Sequence, residues 1–291
     1  MYVDTQGVPY SDYGVYRGID IGRQRSLLSV AERGLWCWNE FDLSGGGDRV
    51  LLSYDWSRWP VNRDANPGDV ERARAALLSC ARWLLEAIQA RDNHLIWVHP
   101  YPISYETRPG WASAHTQAVA LQLFVRTTVL TDDARYAASV PGLLRAFSVP
   151  VRRGGLLDDV GPYAPWFEKF ADPENQRPKV LNGMLFTLLG LRDVAARTGG
   201  MAAREAYESG LEAVLRAMPA FDLGDWSAYD IFGKRASSHY HDIHVEQLAL
   251  LHEAERDPRL AQWRDLFATY ARRRAARVIN SNQRSTATRS S

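Results

Sequence analysis

The chain is poor in cysteine and lysine and has no long apolar run. Its two cysteines, Cys37 and Cys80, sit in apolar, helix-like surroundings that suit core thiols better than a disulfide or a metal site. No stretch is apolar for long enough to span a bilayer, and Met1 opens no charged-then-apolar leader, so a soluble, cytoplasmic protein is expected. Neither sign of charge prevails. Lys+Arg 35 against Asp+Glu 34 leave +1, which argues against a global field that would draw nucleic acid or a membrane surface. Gly45-Gly46-Gly47 has no following helix at phosphate-binding spacing, which argues against a nucleotide loop. Only Lys169, Lys179 and Lys234 are lysines, so the positive charge is nearly all arginine. Arginine holds carboxylates and sulfates with paired donors, although a biased base composition gives the same excess.

What remains is a chain of 291 residues, 46% hydrophobic, able to bury one large core or two small ones. Apolar spacing predicts helices over Ile19 to Phe41, Asp69 to Ala90, Trp111 to Leu130, Asp132 to Phe147, Leu181 to Thr198, Ala202 to Met218, His241 to Glu255 and Pro258 to Val278. Val50 to Trp59 reads as a strand or an aromatic loop. Several helices pair across short links: Thr131, a good N-cap; Gly199-Gly200; and Asp257-Pro258. Between pairs lie long aromatic segments, 94–110, 150–180 and 219–240. Short links within pairs and long links between them predict an all-α fold of stacked helical hairpins, an α/α toroid. The long links then converge on one face and build the site. The expected division is an N-terminal segment over 1–68, extended before its first helix, the toroid over 69–279, and a polar, disordered tail over 280–291.

Chemistry concentrates in Tyr229 to Gln247, YDIFGKRASSHYHDIHVEQ, which holds two tyrosines, three histidines, a lysine and an arginine. Proton-transfer groups beside cations suit chemistry on an acidic sugar. His239, His241 and His244 form an H-x-H-x-x-H run, but no fourth ligand follows at a recognised spacing, so no metal is expected.

Several motifs resemble the D-glucuronyl C5-epimerases of the heparin and heparan sulfate type. They are GVPYSDYG at 7–14, SVAERGLWCWN at 29–39, RPGWASAHTQAVAL at 108–121, VLNGMLFTLLGLRDVAARTG at 180–199, YD at 229–230 and YHDIHVEQL at 240–248. Animal members carry a β-rich insertion where this chain has only about residues 43–68, so it looks like a compact, prokaryotic-style relative. The family's active-site segment resembles W-Y-E-E-Y-P, with a Glu and the following Tyr implicated in catalysis. Here it reads Trp166-Phe167-Glu168-Lys169-Phe170. Phe170 stands at the tyrosine position and Lys169 at the second Glu; a shift of one residue would give that role to Glu168.

The resemblance implies a cofactor-independent isomerase acting on uronate units of an anionic glycan, and it allows a homodimer. Inverting C5 needs a proton removed beside a carboxylate and returned on the other face, with that carboxylate neutralised. Tyr240 is expected as one proton-transfer group and Glu168 as the other, with Tyr229 binding or assisting. Arg235 or Lys234 would hold the carboxylate, and Asn182, His244 and His241 would position neighbours. Trp111 and Trp166 offer flat faces to sugar rings, and Gln117 a floor. Asn182 could instead cap its helix, and the histidines could be helix-start residues. A uronate lyase, or a glycan-binding relative without turnover suggested by Phe170, are the competing readings.

Overall fold

The computed structural model describes residues 2–53, 56 and 68–287, the last eleven of these by backbone alone. The fold is all-α and toroid-like, built from four helical hairpins. They are α1 (Leu27–Glu40) with α2 (Val70–Glu86), α3 (Ala114–Leu130) with α4 (Ala134–Arg145), α5 (Leu181–Thr198) with α6 (Met201–Ala217), and α7 (Ser238–Glu255) with α8 (Pro258–Ala287). The first helix of each pair packs on the first of the next, α1 on α3, α3 on α5 and α5 on α7, while α2, α4, α6 and α8 back onto their partners. Burial follows this layering. Every residue of α3 from Ala114 to Thr127 is buried, whereas α2, α4 and α6 bury one face only.

Glycines permit the closest inner crossings. A Cβ on Gly190 would lie 2.8 Å from the Ala118 Cβ, and one on Gly34 would lie 2.8 Å from Leu123. Gly199, with φ of 65°, closes α5 in the left-handed region that a side chain would resist.

Leu181 and Pro258 open α5 and α8 as the periodicity predicts, while capping sets several other starts differently. Ser26, Ser113 and Ser237 accept backbone N–H bonds and open α1, α3 and α7. Ile19 and Trp111 therefore lie ahead of their helices, in short strands. Thr131 ends α3 rather than opening α4, which Asp133 caps. At the chain's end α8 stays helical to Ala287, across most of the stretch expected to be a disordered tail. Much of the predicted Val50 to Trp59 element lies outside the described residues; Trp56 is buried. Cys37 and Cys80 are free and buried.

The long links carry two-residue antiparallel strands, Val98–His99 against Trp111–Ala112 and Leu157–Asp158 against Trp166–Phe167. A bridge between Ala112 and Ala171 ties two of these links together.

Candidate functional site

The links and the N-terminal ends of α1, α3, α5 and α7 enclose one cavity of about 230 Å³. Ser26 and Ser29 line it from the start of α1, Ser113 and Thr116 from α3, Asn182 from α5 and Tyr240 from α7. A helix N-terminus carries partial positive charge, so four of them facing one space favour an anion there. Among the described residues no Asp or Glu lines it, and Lys169 is the lysine on its wall.

Tyr229 and Tyr240 reach the cavity from different local devices. The Asp230 carboxylate accepts from the N–H groups of Phe232 and Lys234, and an Ala228–Arg235 bridge closes the turn that presents Tyr229. The Ser237 cap places Tyr240 in the first turn of α7. Their rings meet at 4.9 Å. Lys169 Nζ lies 3.3 Å from the Tyr229 hydroxyl and 3.4 Å from Asn182 Oδ1, and 5.6 Å from the centroid of each tyrosine ring. Its stem runs over Gly183, where a Cβ would lie 2.7 Å from the lysine Cβ and Cδ. Because Asn182 Oδ1 is turned to Lys169, its buried Nδ2 is left without a partner among the described residues. Asn182 thus lines the cavity and does not cap α5, which has no side-chain cap.

Burial shapes the electrostatics. It lowers Lys169 to about 8, opposed by the nearby Glu32 charge. Glu32 lies behind the cavity, fully buried, its carboxylate accepting from Ser53 N and Oγ. Burial raises it to about 7, against its Ser53 bonds and the Lys169 charge. Burial also raises the Tyr240 phenol, with its Tyr229 hydrogen bond pulling the other way. His99 and His115, which line the same space, are held neutral, His99 down to about 3 by burial.

Of the residues singled out from sequence, Tyr229, Tyr240, Asn182 and Trp111 line the cavity. The others do not. Glu168, just past the strand Trp166–Phe167, is fully buried away from the cavity. There its Oε2 accepts from Lys179 N at 3.3 Å, and Lys179 Nζ, bonded to Asp158, stays 3.9 Å from Oε1. Burial pushes Glu168 up to about 8, so it is largely protonated at neutral pH. Its expected place opposite Tyr240 is not what the geometry provides. Trp166 is core, stacked on Phe221. Gln117 is core too, accepting from Trp97 N and donating to the carbonyls of Leu95 and Leu143. Arg235 is held at the surface by Asp225 and lies over Trp226. Lys234 is exposed, its amine over the rings of Tyr105 and Tyr229.

His241 and His244 share Ser227 Oγ at 2.8 and 2.9 Å, and His241 also bonds the Phe267 carbonyl and stacks on Trp226. Both are buried behind Tyr240, which they support rather than accompany into the cavity. Among the described residues no three His, Cys, Asp or Glu side chains gather as a metal-holding group. Sequence reasoning missed His99, His115, Ser53 and Tyr101. The aromatic run from His99 to Tyr105 within a long link was the available signal.

A larger hollow, about 1070 Å³, lies on the outer face between α4 and α6. It is lined mainly by apolar side chains such as Val140, Phe147 and Met201 and contains none of the cluster just described. No helix among the described residues is long and apolar enough to cross a membrane.

The scaffold is all-α and toroid-like, with phenols, an amine and imidazoles around one anion-favouring cavity. Sequence comparison assigns the family. The model of the family described as D-glucuronyl C5-epimerase C-terminus matches residues 91–269, and the chain belongs to that family. It is 28% identical over 268 residues to an uncharacterized protein of Methanocaldococcus jannaschii, covering 88% of this chain and 80% of that one. It is 26% identical over 225 residues to a D-glucuronyl C5-epimerase of Caenorhabditis elegans, covering 69% of this chain and 36% of that one. Family and relative together support a function of the C5-epimerase type.

Proposed function

We propose that the protein epimerises C5 of D-glucuronate units to L-iduronate in a polysaccharide or oligosaccharide, without a cofactor. The observation that carries this reading is a cavity with four helix N-termini and Lys169 around it and, among the described residues, no carboxylate on its wall. Such a space favours a carboxylate-bearing ring. It also disfavours glycoside hydrolysis, which uses two facing carboxyl groups.

In this reading Lys169 and the free Asn182 amide hold the uronate carboxylate. Their donors offset the charge that builds on it when the C5 proton leaves, which is the chief barrier to the reaction. Tyr240, its phenol kept protonated by burial, transfers a proton at C5, and Tyr229 links it to Lys169. Trp111 offers its face to the sugar. Lys234, at the exposed edge beside Tyr229, meets further anionic groups of the chain.

The test is exchange of the C5 hydrogen with deuterated water, followed by NMR on glucuronate oligosaccharides such as those of heparosan. The reading predicts exchange with formation of iduronate. No exchange on any uronate chain would contradict it, and growth of unsaturated-uronate absorbance would identify a lyase instead.

A further inference from the structure

We propose that His99 is the second proton-transfer group of the cavity, acting on the face of the sugar ring turned away from Tyr240; this rests on the uronate reading above. The need for such a group is chemical. Inversion requires an acid–base residue on each face, and Glu168 is shut away behind the wall.

The placement of His99 meets that need. Its ring is 3% exposed and lines the cavity, and neither ring nitrogen has a hydrogen-bond partner among the described residues. A buried imidazole left unpaired is costly, and a ligand in the cavity relieves that cost. The ring is held flat against Trp111, 3.9 Å between centroids at 10°, so its edge has a fixed direction. Around the wall from Tyr240 come Tyr229, Lys169, Phe170, Trp111 and then His99, each in contact with the next. A chain of contacts along the wall thus joins the two groups by way of Lys169, which also lies 5.6 Å from the Tyr240 ring. Burial keeps His99 neutral and Tyr240 protonated, which makes one an acceptor and the other a donor at neutral pH.

The step balances without any further reactant. A His99 ring nitrogen takes the C5 proton, and the C–H electron pair moves into the carboxylate as an enolate held by Lys169 and Asn182. The Tyr240 hydroxyl then gives its proton to C5 from the other side. The imidazolium and phenolate left behind reset by exchanging a proton through solvent.

Separate glucuronate and iduronate oligosaccharides in deuterated water distinguish the two faces. His99→Phe preserves the stack on Trp111 and is expected to slow epimerisation by roughly a hundredfold or more. It should still exchange the C5 hydrogen of one epimer without inverting it, and Tyr240→Phe should do so for the other epimer alone. His99→Gln is measured alongside in case the phenylalanine variant fails to fold. Epimerisation by either His99 variant at near the wild-type rate overturns the assignment and leaves the function standing. So does loss of exchange for both epimers in a variant that melts like the wild type, since His99 would then only position the sugar. Wild-type protein that exchanges neither epimer removes the function and the assignment together.

Discussion

Glu168 and Lys169 are neighbours in the chain, one buried and one half-buried, yet they serve different regions. Lys169 enters the cavity, where it meets Tyr229 and Asn182. Glu168 enters the packed layer behind, against Lys179 and Asp158. Two backbone bonds pin Glu168: its N–H donates to Leu156 O, and its carbonyl accepts from Ala114 N. Lys169 begins the turn that follows the strand Trp166–Phe167, and its side chain leaves toward the cavity. The cavity therefore receives an amine where the family's motif offers a carboxylate, while the carboxylate becomes part of the scaffold.

That contrast can be broken most directly by exchanging charge at each of the two residues. Lys169→Met is expected to lower C5 exchange by roughly a hundredfold to a thousandfold, the scale of removing one donor to a developing oxyanion. Glu168→Gln keeps a neutral side chain of the same shape and is expected to leave the rate within a few-fold of wild type. Equal losses in both variants, measured by NMR in deuterated water, would erase the distinction between the two regions.

A smaller effect is expected from Gly183→Ala. The helix itself would favour alanine by about 1 kcal/mol. The added methyl meets the Lys169 stem at 2.7 Å, however, and overpacking of this kind costs about 1–3 kcal/mol. Activity should fall because the amine is displaced from Tyr229, while melting changes little. Unchanged activity would mean that the lysine stem yields freely.

A separate effect lies in the pH dependence of stability. Glu168 binds its proton more tightly folded than unfolded, since burial raises it from 4.5 to about 8. Its contribution favours folding below pH 4.5 and is lost as the pH rises toward 8. Glu168→Gln stays neutral, so its melting temperature relative to wild type should climb across that window. A constant difference would show that the carboxyl is ionised in the folded protein.

The hairpin plan was legible because it depends on local signals. Gly199-Gly200 and Asp257-Pro258 punctuate helices whose apolar spacing is continuous on either side. Tyr229, Tyr240 and Asn182 were legible through their motifs. The rest depended on tertiary register. Which of Glu168 and Lys169 meets the cavity was decided by backbone pairing with distant Leu156 and Ala114. Arg235 adjoined Tyr229 in sequence, but Asp225 draws it to the surface. His99 is a single histidine in a link, with nothing in its neighbours to announce that Trp111 would fix its ring.

The account's central claim is that Lys169 is a cavity amine that meets a uronate carboxylate. A chain with three lysines allows this to be read directly from NMR of isotope-labelled lysine side chains, with Lys169→Met identifying the signal. The account predicts a Lys169 resonance that titrates near 8 and moves upward when a glucuronate oligosaccharide binds. A Lys169 that titrates near its ordinary 10.5 and ignores the oligosaccharide would contradict it.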